Sequence, residues 1–322
     1  AYWSAVGMAA VVQPTLDLGD VRIPKGYKAA CTGPHAEYWK AAIDRELQGL
    51  MTNRTWEPVL QNDMPPGSNL MSCHLVFALR RSETGEITKW KARLVCNGQT
   101  QCHGVDYDRV FSTVVKMSTL RLVLVLACER RYFLTSVDIC QAFIQAEVRT
   151  PLYMRMPPGL PNKDAKGRTL VARLQKSLYG LKQAGREFNM VLNDHLVKLG
   201  FERSSIDTCV YSRRDGRGDV LLAVWVDDIL IASSNHSVRA EFVKALTQRF
   251  PIEDKGDLTW ILGMRIAHDR GKAEVTVSQQ LYVQDMMTKY APFLDSACRS
   301  YDVPTVENLT LSADQQPTEG SP

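Results

Sequence analysis

The chain of 322 residues contains no apolar run approaching the ~18 residues that a membrane-crossing helix requires, so no transmembrane segment and no membrane partner are expected. It has no CxxC, and its eight cysteines (Cys31, Cys73, Cys96, Cys102, Cys128, Cys140, Cys209, Cys298) follow no framework spacing. That pattern argues against a disulfide-stapled secreted scaffold. Cysteines set inside apolar runs read instead as reduced core residues of an intracellular protein. Cys96, Cys102 and His103 lie close together, but a fourth ligand is missing, and ordinary packing is preferred to zinc. The opening segment AYWSAVGMAAVVQP lacks the basic start of a signal peptide and an initiating Met. The expectation is a segment cut from something longer. No internal repeat is visible. Lys and Arg are absent from the last 21 residues, 302–322, which hold four acids and three prolines and read as a flexible acidic tail.

What is present is positive charge gathered into blocks. The net charge is only +4, yet between Arg149 and Arg186 nine Lys/Arg stand against one acid, Asp164. A second basic stretch, ALRRSETGEITKWKARLV, holds Arg80, Arg81, Lys89, Lys91 and Arg93 against Glu83 and Glu86. Clustered cations interleaved with Tyr and Trp suit a phosphate backbone. The plain alternative for either block is a solvated, lysine-rich loop.

Periodicity supplies the elements. Trp39, Ile43, Leu47 and Leu50 mark one face of a helix after Pro34. Val76 to Leu79 and Ala92 to Val95 read as two strands joined by a turn around Gly85, a basic hairpin. Leu120 to Cys128 is nearly all apolar and reads as a buried helix, and Tyr132 to Asp138 as a strand ending in a carboxylate. Phe188, Leu192, Leu196 and Leu199 repeat with helical spacing, and Gly200 supplies the stop. Val220 to Val226 and Ile229 to Ala232 are apolar strands with only Asp227 and Asp228 between them. A helix on Val238, Phe242 and Leu246 follows, then a hairpin from Trp260 to Val277 turning at Asp269–Lys272. The order predicts an α+β fold with an antiparallel sheet.

Adjacent aspartates between buried strands are the strongest single signal. A plain β-turn would also favour Asp. Two features weigh against it: the flanks LLAVWV and ILIA are core-strand sequences, and Asp138 ends another apolar strand. Carboxylates from neighbouring strand ends can hold two metal ions ~3.5–4 Å apart. Magnesium prefers such hard oxygen ligands and completes its shell with substrate phosphates.

In the stretches NRTWEPV, KWKARLVCNGQTQCHGVDYDRVFSTVV, SVDICQAFIQAEVRTPLYMRMPPG, LQKSLYGLKQAGREF, WVDDILIA, LGMRI and VSQQLY, the chain resembles the reverse transcriptase of copia-type long-terminal-repeat retrotransposons. The likeness runs from about His35 to Tyr290, with the motifs in the family's order. It implies a right-hand polymerase, with antiparallel sheet, helices on one face, and a partial thumb. The divisions expected are an N-terminal extension over 1–34, fingers and palm over 35–268, the start of a thumb or connection over 269–301, and the tail. The implied function is an RNA-directed DNA polymerase using two Mg²⁺ ions, or Mn²⁺. Asp138 and Asp227 would be metal ligands and Asp228 an auxiliary carboxylate.

The resemblance also places Lys91 and Arg93 on the incoming triphosphate, and Phe143 beneath its sugar. Tyr179 and Gly180 would line the nucleotide and template pocket, and Leu262 and Gly263 the hairpin that grips the primer end. Read from the residues alone, these are also an edge strand blunted by cations, a core aromatic, a turn, and a glycine allowing close approach. Implied partners are an RNA or DNA template with primer, deoxynucleoside triphosphates, and a ribonuclease H region in the parent Pol polyprotein. The implied setting is the cytoplasm, within virus-like particles. Trp225 stands where the family usually has Tyr, Ile139 and Cys140 where small or polar residues are common, and Gln145–Ala146 where a Gly is usual. None of these removes a metal ligand. The alternative reading is a catalytically decayed remnant that keeps the fold and binds nucleic acid. Nucleotide cyclases share a palm of this kind but need no basic hairpin. Integrase-type enzymes usually place their acids on separate elements.

Overall fold

The computed structural model describes residues 21–81 and 86–291 and divides into two units, Ala1–Asp257 and Leu258–Pro322. The turn at Gly85 and the tail 302–322 lie outside the described residues. The first unit opens with helices α1 (Tyr27–Thr32) and α2 (Ala36–Thr52), strands β1 (Trp56–Leu60) and β2 (Leu70–Met71), and a long hairpin of β3 (Cys73–Arg81) and β4 (Ile87–Cys96). Helix α3 (Met117–Glu129) leads into β5 (Phe133–Ile139), followed by β6 (Glu147–Arg155) and β7 (Leu170–Lys176). Helix α4 (Ala184–Lys198) precedes β8 (Glu202–Arg203), β9 (Val210–Asp215), β10 (Gly218–Trp225) and β11 (Asp228–Ser233). Helix α5 (His236–Thr247) and β12 (Ile252–Asp257) complete the unit. This mixture of helices with largely antiparallel sheets is the α+β class expected.

The sheet that matters most has six strands in the order β12-β5-β11-β10-β9-β8, every pair antiparallel. On β11, Ile229, Leu230, Ile231 and Ala232 are all fully buried, so both faces of this strand are covered. Burying each such Ile or Leu contributes about 1.5–3 kcal/mol. A slip of one residue would exchange the side chains packed on the two faces and take Asp228 off the face it shares with Asp138. Helices α3 and α5 pack on this sheet. The Asn235 side chain caps α5 by accepting from the Val238 N–H at 3.0 Å. Helix α3 is capped from a distance: the buried Asp207 carboxylate accepts from the Lys116 N–H at 2.9 Å and from the Cys209 N–H at 3.1 Å.

The basic hairpin is paired from Cys73↔Cys96 to Arg80↔Lys89 and is covered by α2. Trp39 of α2 meets Trp90 edge-on at 4.6 Å and Phe77 at 5.1 Å. The predicted helical row Trp39, Ile43, Leu47 and Leu50 is the buried face of α2. Sequence periodicity did not expose the second sheet, β1-β7-β6-β2, in which β2 and β6 run parallel. Its strands carry prolines, and each sits where proline is tolerated. Pro58 lies on the edge strand β1, and Pro151 falls within the register shift between Glu147 and Leu152.

In the second unit, β13 (Trp260–Ile261), β14 (Met264–Asp269) and β15 (Glu274–Ser278) form a three-stranded sheet, followed by helix α6 (Gln280–Tyr290). The expected hairpin is present as β14 and β15, with β13 added ahead of it by a second tight turn. Among the described residues no helix is long and apolar enough to cross a membrane.

Candidate active site

Two strand ends and one turn bring the three aspartates together. Asp138 on β5 is the cross-strand partner of Asp228 on β11. Directly opposed residues in antiparallel strands project to the same face, with Cβ atoms ~4.5–5.5 Å apart. The two-residue turn before β11 is Val226–Asp227, closed by the pair Trp225↔Asp228. This corrects the expectation that Asp227 and Asp228 both lie between the strands: Asp228 already belongs to β11. The displacement has a backbone cause, since Val226 takes the left-handed corner with φ 54°. A β-branched residue is strained there. The turn is fastened to the neighbouring strand, because the Asp227 carbonyl accepts from the Ile139 N–H at 2.9 Å.

A cation already lies on this cluster. The Lys255 Nζ donates to Asp228 Oδ1 at 2.9 Å and to Asp138 Oδ1 at 3.3 Å. Burial lowers the Lys255 pKa, but Asp228 and Asp138 outweigh it, and the net shift is upward. The Asp227 carboxyl is pushed up, first by burial and then by the negative charges of Asp138 and Asp228. The acids thus sense one another.

The basic side is assembled from different elements. Lys91 and Arg93 alternate on β4, and the Lys91 pKa is lowered by burial and by the neighbouring cations Arg93, Arg80 and Lys89. The charge of Asp138 opposes that shift, which ties the two sides of the site electrostatically. The Arg93 guanidinium lies over the Tyr179 ring, 5.5 Å from its centre, and Phe143 meets Tyr179 edge-on at 4.9 Å. Phe143 reaches this position because Gln141, at φ 50°, turns the chain out of β5 into a 3-10 turn over Ala142–Gln145. Gly180 has φ 89°, and a Cβ there would lie 2.0 Å from the Cys96 carbonyl oxygen. Only glycine allows this segment to lie on β4, where the Cys96 N–H donates to the Tyr179 carbonyl at 2.7 Å. Arg93, Phe143, Tyr179 and Gly180 therefore form one cluster, with Lys91 beside Arg93 on β4. Leu262 and Gly263 belong to the second unit and make the turn between β13 and β14, with φ 50° and 77°. Two successive positive values are those of a type I′ hairpin turn.

The chain matches, over residues 53–306, the family described as reverse transcriptase (RNA-dependent DNA polymerase). The chain belongs to the reverse transcriptase family. It is similar to the retrovirus-related Pol polyprotein from transposon RE2 of Arabidopsis thaliana, 34% identical over 251 residues, covering 78% of this chain and 17% of that protein. It is 30% identical over 302 residues to the corresponding polyprotein from transposon TNT 1-94 of Nicotiana tabacum, covering 94% of this chain and 22% of that one. A Ty1-ER2 Gag-Pol polyprotein of Saccharomyces cerevisiae is 26% identical over 303 residues, covering 90% and 16%. The likeness is to the reverse-transcriptase region of copia-type elements, and the chain spans about a fifth of the length of these relatives.

Sequence reading missed several residues of this reverse transcriptase site. Lys255 escaped because IEDKGD has no apolar alternation, although it forms β12 beside β5. The glycine after the lysine was the available signal, since an isolated Gly in a strand often marks a bulge. Glu46 of α2 accepts from the Leu94 N–H at 3.1 Å, and its charge acts on Arg93 and Lys91. Burial raises its pKa, while that hydrogen bond, the two cations and a hydrogen bond with Gln141 act against the shift. A Cβ on Gly49, one turn later, would lie 3.0 Å from the Gln141 side chain. Helix α2 therefore touches both the cationic strand and Gln141, two residues beyond the end of β5.

Proposed function

We propose that this chain catalyses RNA-directed DNA synthesis, adding deoxynucleotides to a primer 3′-hydroxyl on an RNA or DNA template. The observation that carries this reading is the facing pair Asp138 and Asp228, which share one cation, with Asp227 in the adjoining turn. Among the described residues no three His, Cys, Asp or Glu side chains are already gathered as a metal cage. Magnesium does not need one, since it is held by one or two carboxylates, with substrate phosphates and water completing the shell. The facing pair Asp138 and Asp228 fits that demand, and Asp227, which the resemblance makes a ligand beside Asp138, would supply a further hard oxygen. Two bound divalent ions would supply activation of the attacking hydroxyl and stabilisation of the leaving pyrophosphate.

The remaining roles are those the family resemblance implies. Lys91 and Arg93 would neutralise the triphosphate, with Arg93 held flat by the Tyr179 ring. Phe143 would pack against the sugar, where bulk excludes a 2′-hydroxyl. Gly180 lets the Tyr179 segment close the pocket, and Leu262–Gly263 would meet the primer end. The block from Arg149 to Arg186 would follow the nucleic-acid backbone, although Arg168 and Arg173 are already paired with Asp164 and Glu57 at 2.7 and 3.1 Å. In the parent polyprotein a ribonuclease H region would act on the RNA strand of the product, within a cytoplasmic virus-like particle.

The test is primer extension on poly(rA)–oligo(dT) with Mg²⁺, comparing wild type with Asp227→Asn. Extension abolished by that substitution, with nucleic-acid binding retained, supports the proposal. Equal extension by both proteins overturns it, and no extension by either indicates the binding-only remnant.

A further inference from the structure

Strand β12 contributes an extra residue at one point. Asp254 pairs with Val137 and Gly256 with Ser136, so Lys255 has no partner on β5 and forms a bulge. Bulges beside active sites commonly re-aim a side chain, and here the ammonium is delivered between the carboxylates of Asp138 and Asp228. The bulge is fastened at its base. Asp254 pairs closely with Arg239 and accepts from the Gly256 N–H at 3.0 Å, while Arg239 Nε donates to Thr135 Oγ1 at 3.3 Å. Gly256, at φ 68°, takes a backbone conformation that suits glycine. The backbone of the bulge is thus held by several contacts, and the four-carbon stem of Lys255 is the part able to swing.

We infer that Lys255 is an internal counter-ion that closes the metal site, so that a divalent ion must displace its ammonium from Asp138 and Asp228. The inference rests on the reading of those carboxylates as metal ligands. An ammonium at 2.9 and 3.3 Å from the same oxygens occupies the ground a metal would take. The ammonium and a metal ion cannot both sit on those two oxygens, because each needs the same lone pairs at contact distance. Without any cation the cluster would be severely overcharged. Asp227 adjoins it, and Glu253 on β12 is the cross-strand partner of Asp138, so four carboxylates crowd one sheet edge. Lys255 therefore keeps the acids gathered before metal arrives, at a cost in metal affinity.

The experiment uses Mn²⁺ as probe, titrated into the full chain without nucleic acid and followed by electron paramagnetic resonance. Lys255→Gln should bind Mn²⁺ about tenfold more tightly than wild type, within the range usual for coupled binding events. Lys255→Arg retains a cation and should stay near wild type. Melting adds a second readout. In EDTA the Gln variant should melt below wild type, and saturating Mn²⁺ should close or reverse that gap; a merely structural lysine would leave the gap unchanged. Equal Mn²⁺ affinity in wild type and Lys255→Gln overturns the counter-ion role while leaving the metal site standing. If neither protein binds Mn²⁺, or if Asp138→Asn binds it as well as wild type, the reading of the carboxylates fails and this inference with it.

Discussion

The acidic and basic halves of the candidate site are built by different means. Asp138 and Asp228 sit at the end of a paired rung between β5 and β11, where core strands set the register. Lys91 and Arg93 stand on β4, whose sheet is only a two-stranded hairpin. An isolated hairpin is marginal in water and needs packing to hold its shape. Here α2 covers it with Trp39, Glu46 binds the Leu94 N–H on β4, and the Tyr179–Gly180 segment lies on its end. Acids placed by register should tolerate changes elsewhere. Cations placed by docking should be sensitive to substitutions that touch neither substrate nor metal.

The largest effect should come from the acids themselves. Asp138→Asn should lower primer extension at least ~100-fold, since even outer-shell partners of metal sites cost 10–100-fold. Thermal melting of the same variant should show no loss of stability, because the site carries excess negative charge. A large drop in melting temperature would show that Asp138 is a structural residue of the sheet end.

On the basic side, Gly180→Ala should act without touching any charged group. A Cβ placed 2.0 Å from the Cys96 carbonyl, at φ 89°, forces the segment off β4. Left-handed strain and overpacking together predict ~2–4 kcal/mol of destabilisation. Steady-state kinetics at a temperature where the variant is folded should show a raised KM for the deoxynucleotide. An unchanged KM would mean that the cations keep their place without this contact.

A third substitution asks whether the acids depend on the surrounding scaffold. Burial of Asp207 acts to raise its pKa, but the N–H groups of Lys116 and Cys209 outweigh it and hold the carboxyl below its usual value. Asp207→Ala leaves two donors unsatisfied near the start of α3, worth ~1–3 kcal/mol. Because the folded pKa is lowered, the stability Asp207 contributes is full above the unfolded pKa and is lost as pH falls through the folded value. The gap between wild type and Asp207→Ala in denaturant melts should therefore be constant near neutrality and shrink on acidification. If register alone places the acids, turnover of the folded variant should stay near wild type.

How much of this was legible beforehand divides along the same line. The rung of aspartates could be read because buried strands announce themselves by apolar runs and carboxylates at their ends stand out. Helices α2, α4 and α5 were visible through their periodicity, and α3 through its apolar run. Lys255 and Glu46 were not, because a helix-to-strand hydrogen bond has no local pattern and the bulged edge strand offers only the glycine after the lysine. Val226 was misplaced for a related reason: it continues the apolar run of β10, whereas the turn takes it into positive φ. Strands β1 and β6 were hidden by prolines whose tolerance depends on neighbours.

Phe143 stands where the two constructions meet, so its removal sharpens the comparison at the smallest cost. It follows Asp138 on the chain that leaves β5, yet its ring is held by Tyr179, which belongs to the docked side. A rigid ring needs no polar atom to reject a ribonucleotide, since filling the space of the 2′-hydroxyl suffices. The held ring should discriminate, because an edge-on partner at 4.9 Å limits its rotation. Phe143→Ala should raise ribonucleotide use relative to deoxyribonucleotide about tenfold in the ratio of kcat/KM values, which corresponds to ~1.4 kcal/mol. Magnesium dependence should not move, because the register that places Asp138 is untouched. Tyr179→Ala, which frees the ring without deleting it, should give a smaller change in the same direction. Unchanged sugar selectivity in a folded, active Phe143→Ala protein would make the ring a packing residue of the core it already borders.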